Sequence, residues 1–338
     1  MKKQSIFLAV IVVLCLAITA GGSNAADIEM KPTTWTAVTY IDTSSQHFAQ
    51  QKAMCDAIAE RTNGRLNIEL YSVGEFAFGG TDMFAVTTDR TIEMSMISTS
   101  YVEGENTVMS ILEWPMLCRD NRDLEKALET LRPYLDEEFS AKNVTLLDWW
   151  STMGLGFYGV GKTPQSLADF KNLKIRLYSV PITNVLLNYG VVPISMSVTE
   201  VVPALQRGVV NAALTGCLYA YDMSWYDICD WAFIMNIAGA TNGIWVNNDA
   251  LHELPEAVQK IVWEEAANYH NVNIKYNESE TQNCVDGMAK NGCEVVYCSD
   301  ADYEQAAVYA IDVWKDMAAK SGKKFETALA DVRKTLDK

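Results

Sequence analysis

Histidine is scarce in this chain, with three residues in 338. No CxxC pair and no HExxH or GxSxG motif occurs, so neither a zinc site nor a metalloprotease or serine-hydrolase centre has its usual spacing. Cations are also few: 27 Lys and Arg stand against 43 Asp and Glu, for a net charge of −16. A chain this acidic repels phosphate backbones, which argues against general nucleic-acid binding. No low-complexity stretch is present, and no repeat with a period of roughly 20–50 residues, so solenoids are excluded. What remains is ordinary globular composition, 49% hydrophobic and 21% charged. The length predicts about two domains, because single cores stop growing near ~250–300 residues.

One apolar run stands apart. Met1-Lys2-Lys3 is a short basic start, Ile6 to Ala20 is nearly all apolar, and Ser23-Asn24-Ala25-Ala26 supplies small residues at cleavage spacing. This pattern is a secretory signal peptide over residues 1–25. The run is shorter than the ~20 residues a membrane span needs. Leu14 before Cys15 is too bulky for a lipoprotein site. Cleavage would leave 313 residues with a charge of −18. No later segment is apolar enough to cross a membrane.

Export bears on the cysteines, since an oxidising compartment permits disulfides. Seven remain after cleavage, an odd number: Cys55, Cys118, Cys217, Cys229, Cys284, Cys293 and Cys298. Cys217 with Cys229, or pairs among Cys284, Cys293 and Cys298, are the local disulfide candidates. Buried free thiols acting as small hydrophobes are the alternative.

Helical and strand patterns alternate along the chain. Strands are predicted at Trp35–Tyr40, Leu66–Tyr71, Ile92–Ile97 and Val144–Trp150. Helices are predicted at Gln46–Arg61, Asp82–Asp89 and Leu124–Phe139. Val144–Trp150 is continuously apolar, as in strands buried on both faces of a parallel sheet. Further strands are predicted at Phe157–Val160, Leu173–Leu177, Val191–Ile194, Val209–Leu214 and Ile244–Asn247. Pro181–Tyr189 is a short helix, and Ser197-Val198-Thr199-Glu200 is a capping box opening a helix that ends near Gly208. Pro255 opens a helix reaching about Lys290, roughly 50 Å at 1.5 Å per residue. That is too long for one small domain. Such alternation predicts mostly parallel sheets with helices on both faces, and ligands bind at the carboxyl ends of their strands.

Gly156 to Thr163 matches GxxxxGK[ST] letter for letter. A phosphate loop must open a helix at its Lys-Thr, but Pro164 pushes Thr163 out of the helical region. The interior Phe157-Tyr158-Gly159-Val160 reads as strand. The overlapping Gly154-x-Gly156-x-x-Gly159 also lacks a following helix, and Arg176 stands where an acid would bind ribose. His47, His252 and His270 look like surface histidines with no catalytic partner. Neither nucleotide cofactor nor metal is expected, and no enzyme signature is present.

Lys174-Ile175-Arg176 alternates, placing Lys174 and Arg176 on one strand face. An arginine at a strand end can clamp a carboxylate through two parallel hydrogen bonds. On spacing alone a surface or structural salt bridge is the preferred reading. Aromatics gather after strands at Tyr40, Tyr101, Trp149, Trp150, Tyr219, Trp225 and Trp231. Adjacent Trp149 and Trp150 must face opposite ways, so one faces the cleft.

Five segments carry a resemblance. They are Asn63-Gly64-Arg65 through Tyr71; Leu173-Lys174-Ile175-Arg176; Gly190-Val191-Val192-Pro193-Ile194-Ser195-Met196; Glu200-Val201-Val202-Pro203-Ala204-Leu205-Gln206 through Asn211; and Leu254-Pro255-Glu256-x-Val258-Gln259. Together they resemble the solute-binding proteins of TRAP transporters, the dicarboxylate-binding-protein-like (DctP) family, over essentially the whole chain after residue 25.

The resemblance implies an α/β two-domain periplasmic solute-binding protein with hinge strands and a long domain-spanning helix. One domain would be 26–152 plus 242–280, the other 153–241 plus 281–338, with the ligand cleft between them. It implies binding of a small organic acid and delivery to the TRAP membrane permease, with no catalysis. The family's arginine carries over onto Arg176 as the carboxylate anchor. Sialic-acid-type members have a second arginine where this chain has Gly156, and an asparagine where it has Thr215; Asn211 replaces the usual aspartate. These departures favour an aromatic or bulky apolar monocarboxylate, with a short aliphatic, keto or hydroxy acid as the alternative. Ser98, Thr215 and Tyr219 would offer hydrogen bonds, and Tyr40, Tyr101, Trp150, Met196 and Val198 would shape the pocket. An indole of Trp149 or Trp150 would fill the space left by Gly156. A secreted hydrolase or lyase, or a purely structural surface protein, are the competing classes.

Overall fold

Two mixed sheets organise the chain, seen here in a computed structural model that describes residues 29–99, 101–102, 108–152, 154–196 and 198–338. The expected signal segment and Ser197 of the expected capping box lie outside those residues. The strands are β1 (Thr33–Thr39), β2 (Leu66–Ser72), β3 (Met94–Ser98), β4 (Val144–Thr152), β5 (Leu155–Gly159), β6 (Lys174–Arg176), β7 (Val192–Ile194), β8 (Ala212–Gly216), β9 (Trp231–Ile234), β10 (Ala240–Asn247) and β11 (Glu294–Tyr297). The helices are α1 (Gln46–Arg61), α2 (Met83–Thr88), α3 (Asn121–Ser140), α4 (Val180–Leu186), α5 (Val201–Gln206), α6 (Cys217–Asp222), α7 (Asn248–His252), α8 (Glu256–Lys290), α9 (Asp300–Ser321) and α10 (Lys323–Thr335).

The first sheet has the order β2-β1-β3-β10-β4 and the second β11-β9-β5-β8-β6-β7. The expectation of mostly parallel sheets is met only in part: five strand pairs are parallel and four antiparallel among the described residues, β10 running antiparallel to β3 and β4, and β5 antiparallel to β8 and β9. β4 into β5 and β9 into β10 are the two direct strand-to-strand passages between the sheets, and α7 and α8 make a third, from β10 to β11. At the first passage Gly154 has φ +82°, and a Cβ there would lie 2.7 Å from Thr281 Cγ2 on α8. Only glycine meets both conditions.

β4 departs from expectation. It is an edge strand, paired antiparallel with β10 alone in its sheet. Its apolar run is explained by α3 and α8, which both pack against it. Of the phosphate-loop look-alike, residues 156–159 lie in β5 and residues 160–163 follow it as irregular chain, with no helix opening at Lys162-Thr163.

Helix α8 is 35 residues long and ties the two sheets together. Val258, Val262, Ala266 and Tyr269 pack into the core under the first sheet. Farther along, Cys284, Val285 and Met288 enter a separate core with α5, α6 and β8 residues. Arg61 Nη1 of α1 meets Glu265 Oε1 of α8 at 2.6 Å. No helix among the described residues is long and apolar enough to cross a membrane. The seven described cysteines are free thiols, all buried but Cys298, so neither local disulfide proposal is realised. Trp225 and Trp231 are core residues.

Candidate functional site

A cavity of about 90 Å³ lies between the sheets. From the first side come Tyr40 and Ile41 just after β1, Ser45 and His47 at the start of α1, Ser98 on β3, Tyr101, and Trp150 on β4. From the second come Arg176 on β6, Tyr178, Val198, Thr215 and Gly216 on β8, and Tyr219 on α6. The strand-end rule for α/β sheets thus locates the site.

Eight of the nine expected site residues line this cavity: Tyr40, Ser98, Tyr101, Trp150, Arg176, Val198, Thr215 and Tyr219. Met196 does not. It contributes its carbonyl, which accepts from Arg176 Nε at 3.0 Å. Arg176 Nη1 donates to Leu214 O at 3.1 Å, and the guanidinium carbon sits 5.1 Å from the Tyr178 ring centre. The side chain is 5% exposed, and no carboxylate is paired with it among the described residues. Burial pulls its pKa below the usual guanidinium value, while Tyr178, Tyr101 and Tyr219 act against that. An arginine so placed stays charged and stabilises an anion brought to it.

The phenols are protonated donors. Burial raises the pKa of Tyr40 and Tyr101, and pushes Tyr219 up to about 12. Tyr40 Oη donates to Asn242 Oδ1 at 2.7 Å, and its ring meets Tyr101 edge-on at 5.8 Å. Ser45 Oγ caps α1 by accepting from His47 N at 3.2 Å. No cavity hydroxyl is hydrogen-bonded to the His47 ring among the described residues, so no nucleophile–base pair is assembled there.

Three expectations change. His47 is buried, 5% exposed, because α8 lays Tyr276 edge-on against it at 5.6 Å. His270 is also held, with Nδ1 2.6 Å from Trp149 O, whereas His252 is exposed. Trp150 faces the cavity while Trp149 packs on His270 at 4.9 Å. Neither indole fills the space at Gly156. A Cβ there would meet Ile234 Cδ1 at 3.0 Å, Tyr158 Oη at 3.1 Å and Phe233 O at 3.2 Å. Sequence reasoning missed Ile41, Ser45, His47, Tyr178 and Gly216. The first three follow the end of β1 and the others adjoin β6 and β8, so strand ends were the available signal.

Comparison with known proteins agrees with this geometry. The family model described as "Bacterial extracellular solute-binding protein, family 7" (DctP) matches residues 37–321. The 2,3-diketo-L-gulonate-binding periplasmic protein of Escherichia coli is 26% identical over 260 residues, 75% of this chain and 77% of that one. The Bordetella pertussis solute receptor DctP7, crystallised with pyroglutamic acid, superposes with a TM-score of 0.83 at 20% identity, covering 89% of this chain and 99% of that one. A Ralstonia eutropha TRAP solute-binding protein with bound (S)-2-acetolactate gives 0.79 at 18% identity, with 89% and 99% covered. Its sequence and its two-sheet fold agree: this chain belongs to the DctP family, the bacterial extracellular solute-binding proteins of family 7 that serve TRAP transporters.

Proposed function

We propose that the chain captures a compact monocarboxylate carrying a keto, hydroxyl or lactam oxygen, and delivers it to a TRAP membrane permease. Residues 1–25 would direct export to the periplasm. The units that close on the ligand would be 26–152 with 242–280, and 153–241 with 281–338. The supporting observation is Arg176, 5% exposed in the cleft with no carboxylate partner among the described residues. Removing a cation from water is costly unless an anion answers it, and a ligand carboxylate does so. A ligand held from both sides favours the closed arrangement.

A keto, hydroxyl or lactam oxygen is preferred to an aryl group because the hydroxyls of Tyr101, Thr215 and Tyr219 line the cleft with Arg176. The relatives point the same way, with pyroglutamate, 2-acetolactate and 2,3-diketo-L-gulonate named for them. The test is thermal melting and calorimetry of the purified protein with pyroglutamate, 2-acetolactate, pantoate, L-gulonate, succinate and indole-3-acetate. Saturation near a hundred times Kd should add about 2.7 kcal/mol of stability. Silence across all the acids would overturn the reading, and a strongest response from indole-3-acetate would return the aromatic class.

A further inference from the structure

β4 has a strand neighbour, β10, on one edge only, so carbonyls on its other edge have no ladder partner. Helix side chains answer them instead. Arg132 Nη2 of α3 donates to Leu146 O at 2.9 Å. His270 Nδ1 of α8 lies 2.6 Å from Trp149 O, and the Asn277 amide of α8 donates to Ser151 O. A carbonyl only accepts, so Nδ1 of His270 carries the proton. Residues 270, 277 and 281 recur on one face of α8. The third of them, Thr281, is the side chain that a Cβ at Gly154 would strike, where β4 passes into β5. Asn277 is 1% exposed and also donates to Asn273 Oδ1 at 2.7 Å, while its side chain is bonded to the His47 ring. Between the carbonyls of Trp149 and Ser151 stands Trp150, the β4 residue of the cavity wall. Its ring is held edge-on at 5.5 Å by Tyr269, again from α8.

We propose that His270 and Asn277 are positioning residues for ligand capture: through them α8 stands in for a missing strand beside β4 and fixes the cavity wall that carries Trp150. This role rests on the cavity being the seat of the organic acid. Neither side chain lines the cavity, so both act through the β4 backbone. A binding wall keeps its place only when supporting hydrogen bonds lock the segment that carries it. The same helix enters the second core with Cys284, Val285 and Met288, so one rigid element both places the wall and reaches the opposite side of the cleft. Ring packing is the competing role for His270, because its imidazole meets Trp149 edge-on at 4.9 Å. The two roles demand different chemistry: the clamp needs an N–H donor, and packing needs a ring.

The experiment compares His270→Phe, which keeps a ring and loses the donor, with His270→Gln, which loses the ring and keeps an N–H donor. Hydrogen–deuterium exchange of the ligand-free proteins is read over residues 146–152, and pyroglutamate affinity by calorimetry. In His270→Phe that segment should exchange about tenfold faster and pyroglutamate should bind about tenfold more weakly, the scale of one buried hydrogen bond. His270→Gln should stay near wild type in both readouts. Asn277→Leu, close in shape but without the amide, should behave as His270→Phe does. Circular dichroism checks that each variant is folded, and if Asn277→Leu is not, the His270 pair decides alone. The reverse order, with His270→Phe like wild type and His270→Gln loosened, would overturn the clamp in favour of packing. Unchanged exchange over 146–152 in His270→Phe would overturn it as well. Failure of wild-type protein to bind pyroglutamate would count against the ligand reading, while the order of exchange rates would still decide the clamp.

Discussion

The guanidinium of Arg176 donates through Nη1 to the carbonyl of Leu214 at 3.1 Å, so a neighbouring strand, and no carboxylate among the described residues, holds it in place. A residue positioned this way is pre-oriented for an anion that the ligand-free protein does not supply. Binding and stability should therefore respond in opposite senses when the charge is removed.

Arg176→Met should abolish acid binding, a loss on the order of 2–5 kcal/mol for one partner of a desolvated charge pair. The melting temperature of the ligand-free variant should not fall, because an unpaired buried cation is costly. Arg176→Lys should also bind poorly, since an ammonium cannot reproduce the planar fork. Calorimetry and thermal melting on the same preparations check both halves. Unchanged affinity would remove the anchoring role.

Gly156→Arg should fail to create a second cationic anchor. Even the first carbon would press on Ile234 Cδ1 at 3.0 Å and on the Phe233 carbonyl at 3.2 Å. Gly156→Ala alone should cost about 1–3 kcal/mol as overpacking. Urea denaturation measures this, and a stabilised Gly156→Ala would show that the β5–β9 packing has slack.

Local signals carried much of this structure, and tertiary burial carried the rest. The sequence-based bounds of α1 and α8 match those observed, Gln46–Arg61 and Glu256–Lys290, because their stop and start signals are local: Asn63-Gly64 for one and Pro255 for the other. Arg176 could be singled out because it stands in an apolar strand segment, though spacing alone preferred a salt bridge and only the family resemblance turned the reading to a ligand anchor. His47 was misread because its burial comes from Tyr276, distant in sequence and brought over by α8. β4 was misread because helices packed on a strand's faces give the same continuous apolar run whether it is a central parallel strand or, as here, an antiparallel edge strand.

Stability should rise with pH across the His47 window. Burial lowers the His47 pKa from 6.5 to about 4, against the opposing Asn277 contact. Between those values the unfolded chain binds the proton and the folded chain does not. Stability is then lost as pH falls from about 6.5 toward about 4, by on the order of 3 kcal/mol. Half-buried Asp148, and Asp222 where it contacts Ser45, have pKa values raised by partial desolvation and contribute slopes of the opposite sign at acid pH. The difference between wild type and His47→Gln isolates the histidine. Parallel stability–pH curves for the two proteins would show that the imidazole protonates freely in the fold.

Ligand size should be adjustable at Tyr219. Its ring closes the second-sheet side of the cavity and meets Trp225 edge-on at 6.3 Å. An aryl acid that reaches Arg176 needs room beside this ring. Tyr219→Ala removes the ring and leaves Arg176 as anchor. Phenylpyruvate should then bind about tenfold or more tightly than to wild type, the gain from burying part of an aromatic body. Pyroglutamate should weaken, because a small ligand in an enlarged cavity loses packing contacts. The lost edge-on pair costs the fold about 1 kcal/mol, visible as a lower melting temperature. Adding Arg176→Met to Tyr219→Ala should silence both acids, which separates the size filter from the anchor. If wild-type protein already binds phenylpyruvate more tightly than pyroglutamate, the cavity opens further than its ligand-free volume, and Tyr219 is not what excludes the ring.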